Sequence, residues 1–173
     1  MHRLSMPFLC SIALTTMGCS KLFADVTGSV DGNKLGAGTA YWGGPVLLFT
    51  DSEMECDELS WVSYSKSGNG YDDGDNIGTD DDFMALQFTY ESAALQDGKL
   101  SIVGMPPSPA FAYFLVNEGG TLNMFKAGSG NIELETDEKN RVSGNFDIDF
   151  GNDGTLSGNF MVENCVNLKE RHN

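Results

Sequence analysis

VSGNFDIDF (142–150), GNDG (151–154) and TLSGNFMV (155–162) form the stretch whose reading decides the fold. In the first segment Val142, Gly144, Phe146, Ile148 and Phe150 share one face. Ser143, Asn145, Asp147 and Asp149 share the other. The third segment repeats the pattern, with Leu156, Gly158, Phe160 and Val162 against Ser157, Asn159, Met161 and Glu163. Alternation with a period of two is the signature of a strand covering a core on one side only, and GNDG is a turn. Matching the faces with Phe150 opposite Leu156 and Phe146 opposite Phe160 predicts a five-residue loop, Gly151 to Thr155. A slip of one residue would set Phe against Asp, so the choice of faces is firm. SGNF occurs twice, at 143–146 and 157–160, as an echo within one hairpin.

Working outward, the same period recurs at Val26–Val30, Phe83–Tyr90, Leu100–Gly104 and Ile132–Glu135, while Ala110–Val116 and Leu122–Lys126 read as two strands joined by Asn117-Glu118-Gly119-Gly120. Asp31-Gly32 is a turn signal. Val46–Thr50 is a continuous apolar run of strand length, which predicts burial on both faces. Leu59–Tyr64 is a further strand. Asp51–Glu58 and Ser65–Asp82 are acidic connectors, and the prolines of Met105–Pro109 exclude both helix and central strand. The total is about nine or ten short strands and no convincing helix. This predicts an all-β, antiparallel β-sandwich, with a small β-barrel as the alternative. The expected layout is a leader over 1–18, a tether over 19–25, a single β domain over 26–168 and a tail over 169–173.

At the other end, a basic start at His2 and Arg3 precedes an uncharged run, Leu4 to Met17, and then Gly18-Cys19. These are the parts of a secretory signal, and the run is too short to span a bilayer. With Cys directly after Gly, it resembles the lipobox of bacterial lipoproteins, although Thr16 stands where that family prefers Leu. The resemblance covers residues 1–20. It implies cleavage before Cys19, lipidation of that cysteine including palmitate, and, with Ser20 following, an anchor in the outer membrane. The alternative is an ordinary signal cut nearby or after Ala24. The Gly-rich alternating hairpin ending in Cys also resembles small β-rich lipoproteins of bacteria, a likeness of pattern that implies no particular activity.

Removing residues 1–18 leaves 155 of the 173 residues, enough for one ordinary core. Arg3 is the only charged residue removed, so the net charge moves from −15 to −16. Such a body repels nucleic acid and anionic lipid. Of the four cysteines, Cys10 leaves with the signal and Cys19 is the lipid site. Cys56 and Cys165 remain, in a compartment where disulfides persist. A bridge between them would constrain the unfolded chain by about 4–5 kcal/mol on the chain-entropy account.

The two histidines are His2 and His172, near the chain ends, so no internal His can activate a Ser or Cys nucleophile or build a His-rich zinc site. No phosphate-binding glycine loop is present. Asp72, Asp73, Asp75, Asp80, Asp81 and Asp82 form an Asp-rich segment of the kind that supplies oxygens to Ca2+. Its spacing is not that of an EF-hand: aligning Asp73 and Asp75 places Ile77 and Met84 at ligand positions. A solvated acidic loop is the plainer reading. Trp42 and Trp61, near strand ends, are candidates for an aromatic platform holding a sugar or a partner chain, or else for core packing. The expectation is a monomeric, lipid-anchored envelope domain with a structural or binding role, no cofactor beyond Ca2+, and a protein or glycan partner. Two alternatives are a carboxylate-based hydrolase of envelope glycans and a calcium-stabilised adhesion module. A convergent pair of acids in a cleft beside an aromatic would favour the hydrolase.

Overall fold

The computed structural model describes residues 23–43, 46–51, 60–62, 82–90, 97–104, 110–119, 121–165 and 169–171. Among these residues twelve strands are formed: β1 (Phe23–Val30), β2 (Ala37–Gly43), β3 (Val46–Thr50), β4 (Ser60–Val62), β5 (Phe83–Tyr90), β6 (Gly98–Val103), β7 (Ala110–Glu118), β8 (Thr121–Lys126), β9 (Ser129–Thr136), β10 (Arg141–Asp149), β11 (Gly154–Glu163) and β12 (Lys169–Arg171). No α-helix occurs among the described residues. β1 starts three residues earlier than the alternation from Val26 suggests, and the expected tail carries β12, which pairs in parallel with β4.

The sandwich expectation is overturned. One sheet runs β5-β3-β2-β1-β11-β10-β9-β6-β7, and β5 also pairs with β7, so nine strands close into a β-barrel. Closure rests on eight opposed pairs, from Phe83 with Asn117 to Tyr90 with Ala110. A sandwich and a barrel share the same period of two, so alternation alone cannot separate them; the pairing of β5 with β7 does. β8 adds to the β7 edge beyond β6. There Ala127 N donates to Ala112 O at 2.9 Å, and the chain passes from β8, paired with β7, into β9, paired with β6 and β10.

The inward face fills the barrel. Its pairing rows include Trp42, Leu47, Phe88 and Ala112, and beside them Ala40, Phe49, Leu86 and Phe114. Phe49 is the hub of the aromatics: its ring lies 5.7 Å from Phe88, 5.4 Å from Phe146 and 5.2 Å from Phe160. Edge-on and tilted contacts at these spacings are the favourable aromatic geometry. As expected, β3 is buried on both faces. Leu47 and Phe49 face inward, while Val46 and Leu48 join Tyr41, Phe83, Ala85, Tyr113, Leu115 and Cys165 in a second apolar cluster on the outside of that wall.

The final hairpin keeps its predicted faces but shifts its register by two residues. Ile148, not Phe150, opposes Leu156, and Phe146 opposes Gly158 while Gly144 opposes Phe160. The reason lies in the repeated SGNF. In antiparallel pairing the two copies are related by a local dyad at Asn145 and Asn159, so each Phe falls on the other copy's Gly. A Cβ at Gly158 would lie 2.8 Å from Phe146 Cζ, and one at Gly144 would lie 3.0 Å from Phe160 Cζ. Each ring occupies the space that a side chain would need. Setting Phe against Phe, as in the predicted register, would set Gly144 against Val162 and Gly158 against Ile148 and take each ring off the glycine that makes room for it.

Two turns follow their local chemistry. Asp31 (φ 48°) and Gly32 (φ 80°) take the two positive-φ positions of a tight hairpin turn, closed by reciprocal 2.9 Å bonds between Val30 and Asn33. In the β9–β10 turn the Asp137 carboxylate accepts from Lys139 N at 2.9 Å, Arg141 N at 2.9 Å and Arg141 Nε at 2.7 Å. The Arg141 side chain, with help from its backbone N–H, holds the Asp137 carboxyl below the usual carboxylate range. A lowered folded-state value means that this contribution is present above the unfolded pKa, near about 4. It is lost as pH falls through the lower folded value. An NMR titration should place Asp137 below the ordinary aspartate value, with Arg141 Nε–H exchange accelerating over the same acid range; an Asp137 midpoint at the ordinary value would contradict this.

Candidate functional site

Two features of the barrel are chemically distinctive, one outside and one inside. On the outer wall, register lines up Lys99, Glu133, Asn145, Asn159 and Asp25 across β6, β9, β10, β11 and β1. Glu133, Leu134, Glu135, Ser143, Gly144 and Asn145 line a shallow depression of about 430 Å³. Gly144 forms part of its floor, and Asn145 Nδ2 donates to Glu133 Oε2 at 3.4 Å. Glu133 and Glu135 stand two residues apart on one strand, roughly 7 Å along it. They are exposed, and no aromatic side chain lines the depression. This meets only half of the geometry that the hydrolase reading requires.

The inside feature lies at the rim where β2 ends and β3 begins. The same rim carries the end of β5, the start of β7 and the end of β11. Trp42 is on the inward face of β2; its backbone bridges to Asn164, and its carbonyl accepts from Cys165 N at 2.5 Å. Tyr90 is the last residue of β5, on the inward face with Leu86 and Phe88, and only 5 % exposed. It opposes Ala110, as Phe88 opposes Ala112, so the neighbouring wall of β7 is built from small side chains. Trp42 Nε1 and Tyr90 Oη are both buried, and neither finds a hydrogen-bond partner in the protein. Burial also pushes the Tyr90 phenol well above its ordinary pKa, so it remains a neutral donor.

Of the residues singled out from sequence, Trp42 is at this rim. Trp61 is in β4, its backbone in register with Glu170. Asp82 precedes β5, where its carboxylate accepts from Gly119 N at 2.7 Å and so ties the β7–β8 turn. Cys165 is 2 % exposed in the outer apolar cluster. Cys19, Cys56, Asp72, Asp73, Asp75, Asp80 and Asp81 lie outside the described residues. Among the described residues no three His, Cys, Asp or Glu side chains converge as a metal site, and no helix is long and apolar enough to cross a membrane. Tyr90 was not a candidate from sequence. The available signal was a hydroxyl-bearing aromatic at the end of an otherwise apolar inward face.

No family model, curated protein or solved structure matches the chain.

Proposed function

We propose that the protein is an exported β-barrel, anchored in the bacterial outer membrane through lipid on Cys19, with a binding or structural role at the cell envelope. The observation that carries this reading is the Gly18-Cys19 junction set directly ahead of a folded barrel. β1 begins at Phe23, only four residues after Cys19. A lipid at that position would need no long linker to hold the barrel at a bilayer surface, and two or more acyl chains give a stable anchor where one does not. In this reading a bridge between Cys56 and Cys165 would fasten the chain after β11 to the acidic connector after β3. Glycan or protein partners would meet the polar outer wall of β9, β10, β11 and β1.

The test is fractionation of a Gram-negative host expressing the full chain, with intact mass of the product. The expected product is shortened by 18 residues, carries acyl mass and sediments with membranes. Cys19→Ala should abolish the acyl mass and release the barrel to the soluble periplasmic fraction. An unacylated wild-type product, or membrane association unchanged by Cys19→Ala, would sink the proposal.

A further inference from the structure

We infer that β8 is a dimerisation edge, along which a second copy of this chain adds its own β8 in antiparallel. β8 (Thr121–Lys126) is paired with β7 on one side and with no strand on the other among the described residues, whereas each of the nine barrel strands has a neighbour on both sides. Its hydrogen-bonding phase is fixed by Ala127 N, which donates to Ala112 O at 2.9 Å. Antiparallel ladders alternate bonded and non-bonded pairs. Counting back from Ala127, the pairs of Met124 with Leu115 and of Leu122 with Asn117 are non-bonded. The N–H and C=O groups of Leu122 and Met124 therefore point away from β7, in a row that can template another strand. No proline interrupts the edge, and Asn123 at its middle is exposed.

The sequence of the edge selects its occupant. With Asn123 opposite the Asn123 of a second copy, Leu122 opposes Met124 on both sides of the dyad. Both of these pairs then take bonded positions and exchange backbone hydrogen bonds. Leu122 and Met124 already pack against the outer apolar cluster, so the dyad joins the clusters of two barrels. A dyad at Met124 would instead set Asn123 against Phe125, which packs towards the barrel interior. Charge points the same way. Lys126 stands at one end of β8, while Glu118 and the Asp82 carboxylate that ties Gly119 N stand at the other. Antiparallel addition brings each Lys126 to the acidic end of the other copy, and parallel addition would set like ends together. The contact is small and both bodies are strongly negative, so the dimer is a weak one in solution. The edge belongs to the folded barrel and does not depend on acylation of Cys19, so either proposal can fail without the other.

The test uses the full chain carrying Cys19→Ala, which keeps acyl chains out of the measurement. Sedimentation and NMR amide exchange are followed from roughly 10 μM to 1 mM. The expected result is a monomer–dimer equilibrium in which the Leu122 and Met124 amides gain protection as concentration rises. Met124→Pro removes an outward N–H and leaves the β7 ladder intact, so it should weaken the dimer about tenfold or more. Asn123→Lys sets like charges across the dyad and should weaken it by about threefold or more, although it lowers the net negative charge. Glu138→Gln makes the same change of charge in the exposed β9–β10 turn and should not weaken it. If Met124→Pro does not fold, Asn123→Lys decides alone. A single monomeric species throughout, or a dimer untouched by both edge substitutions, would overturn the inference. So would a dimer that leaves the Leu122 and Met124 amides unchanged, since the copies would then meet elsewhere. Protection of those amides that persists on dilution would also overturn it, because the edge would already be filled by the protein's own chain or by a co-purified peptide.

Discussion

Replacing Phe146 by Ala is expected to lower the unfolding free energy by about 3–5 kcal/mol, the range for a large aromatic deleted from a packed core. Phe146 is 3 % exposed, and its ring lies 5.4 Å from Phe49, 5.4 Å from Phe88 and 6.5 Å from Phe160. It also covers Gly158, so the substitution opens space on two sides that the neighbouring strands, fixed by pairing on both edges of β10, cannot close. Urea unfolding of the variant should show a lower midpoint with an unchanged slope. Phe146→Leu should recover more than half of the loss. An alanine variant within about 1 kcal/mol of the parent would mean that the aromatic cluster is looser than these contacts indicate.

The second large effect belongs to a glycine. Gly144→Ala is expected to destabilise by about 3 kcal/mol, at the upper end for overpacking. The new Cβ would collide with the Glu133 carbonyl oxygen and lie 3.0 Å from Phe160 Cζ. A ring can turn aside, but a backbone carbonyl held in the β9–β10 ladder cannot. The double variant Gly144→Ala with Phe160→Leu should therefore show positive coupling yet only partial rescue. Ser143→Ala, one residue away on the wet face, should stay within about 0.5 kcal/mol of the parent. Thermal or urea unfolding of the parent, Gly144→Ala, Phe160→Leu and the double variant closes the cycle. Full rescue by Phe160→Leu would place the whole conflict in the ring and contradict the carbonyl argument.

These two residues also show how far the sequence could be read. The inward and outward faces of β10 and β11 followed directly from alternation, because burial on one side leaves no other pattern. Double burial of β3 was equally legible, since Val46 to Phe49 offer no polar face to water. Register was not, because a slip of two residues preserves every face. The choice depended on whether a ring prefers another ring or a bare glycine, and SGNF contained that answer only if read as a motif paired with itself. Closure was hidden for a different reason. β5 meets β7 across the whole of β6, and nothing local in Phe83–Tyr90 or Ala110–Glu118 distinguishes a strand that closes a ring from one that ends a sheet.

The candidate site was partly legible for the same reason. Trp42 drew attention as a large aromatic near a strand end. At Tyr90 the alternation of Phe83–Tyr90 gives no role, since an unpaired hydroxyl has meaning only once the surrounding wall is in place. The acidic residues were conspicuous in sequence, yet Asp82 serves a backbone N–H and Asp137 an arginine. Both are structural roles that composition cannot reveal.

The symmetry of the two SGNF segments reaches beyond one molecule. A motif that pairs with an inverted copy of itself cannot tell the copy in its own chain from the copy in another. With Asn145 set opposite the Asn145 of a second chain, Phe146 would again cover Gly144, and Arg141 would face Asp149. Side-chain complementarity therefore does not select the intramolecular hairpin; proximity does. The four residues between β10 and β11 hold the two segments at an effective concentration on the order of millimolar or above, roughly a thousandfold over a micromolar solution of separate chains. The short connection over 150–153 thus favours pairing within one chain over strand exchange, and lengthening it would weaken that bias.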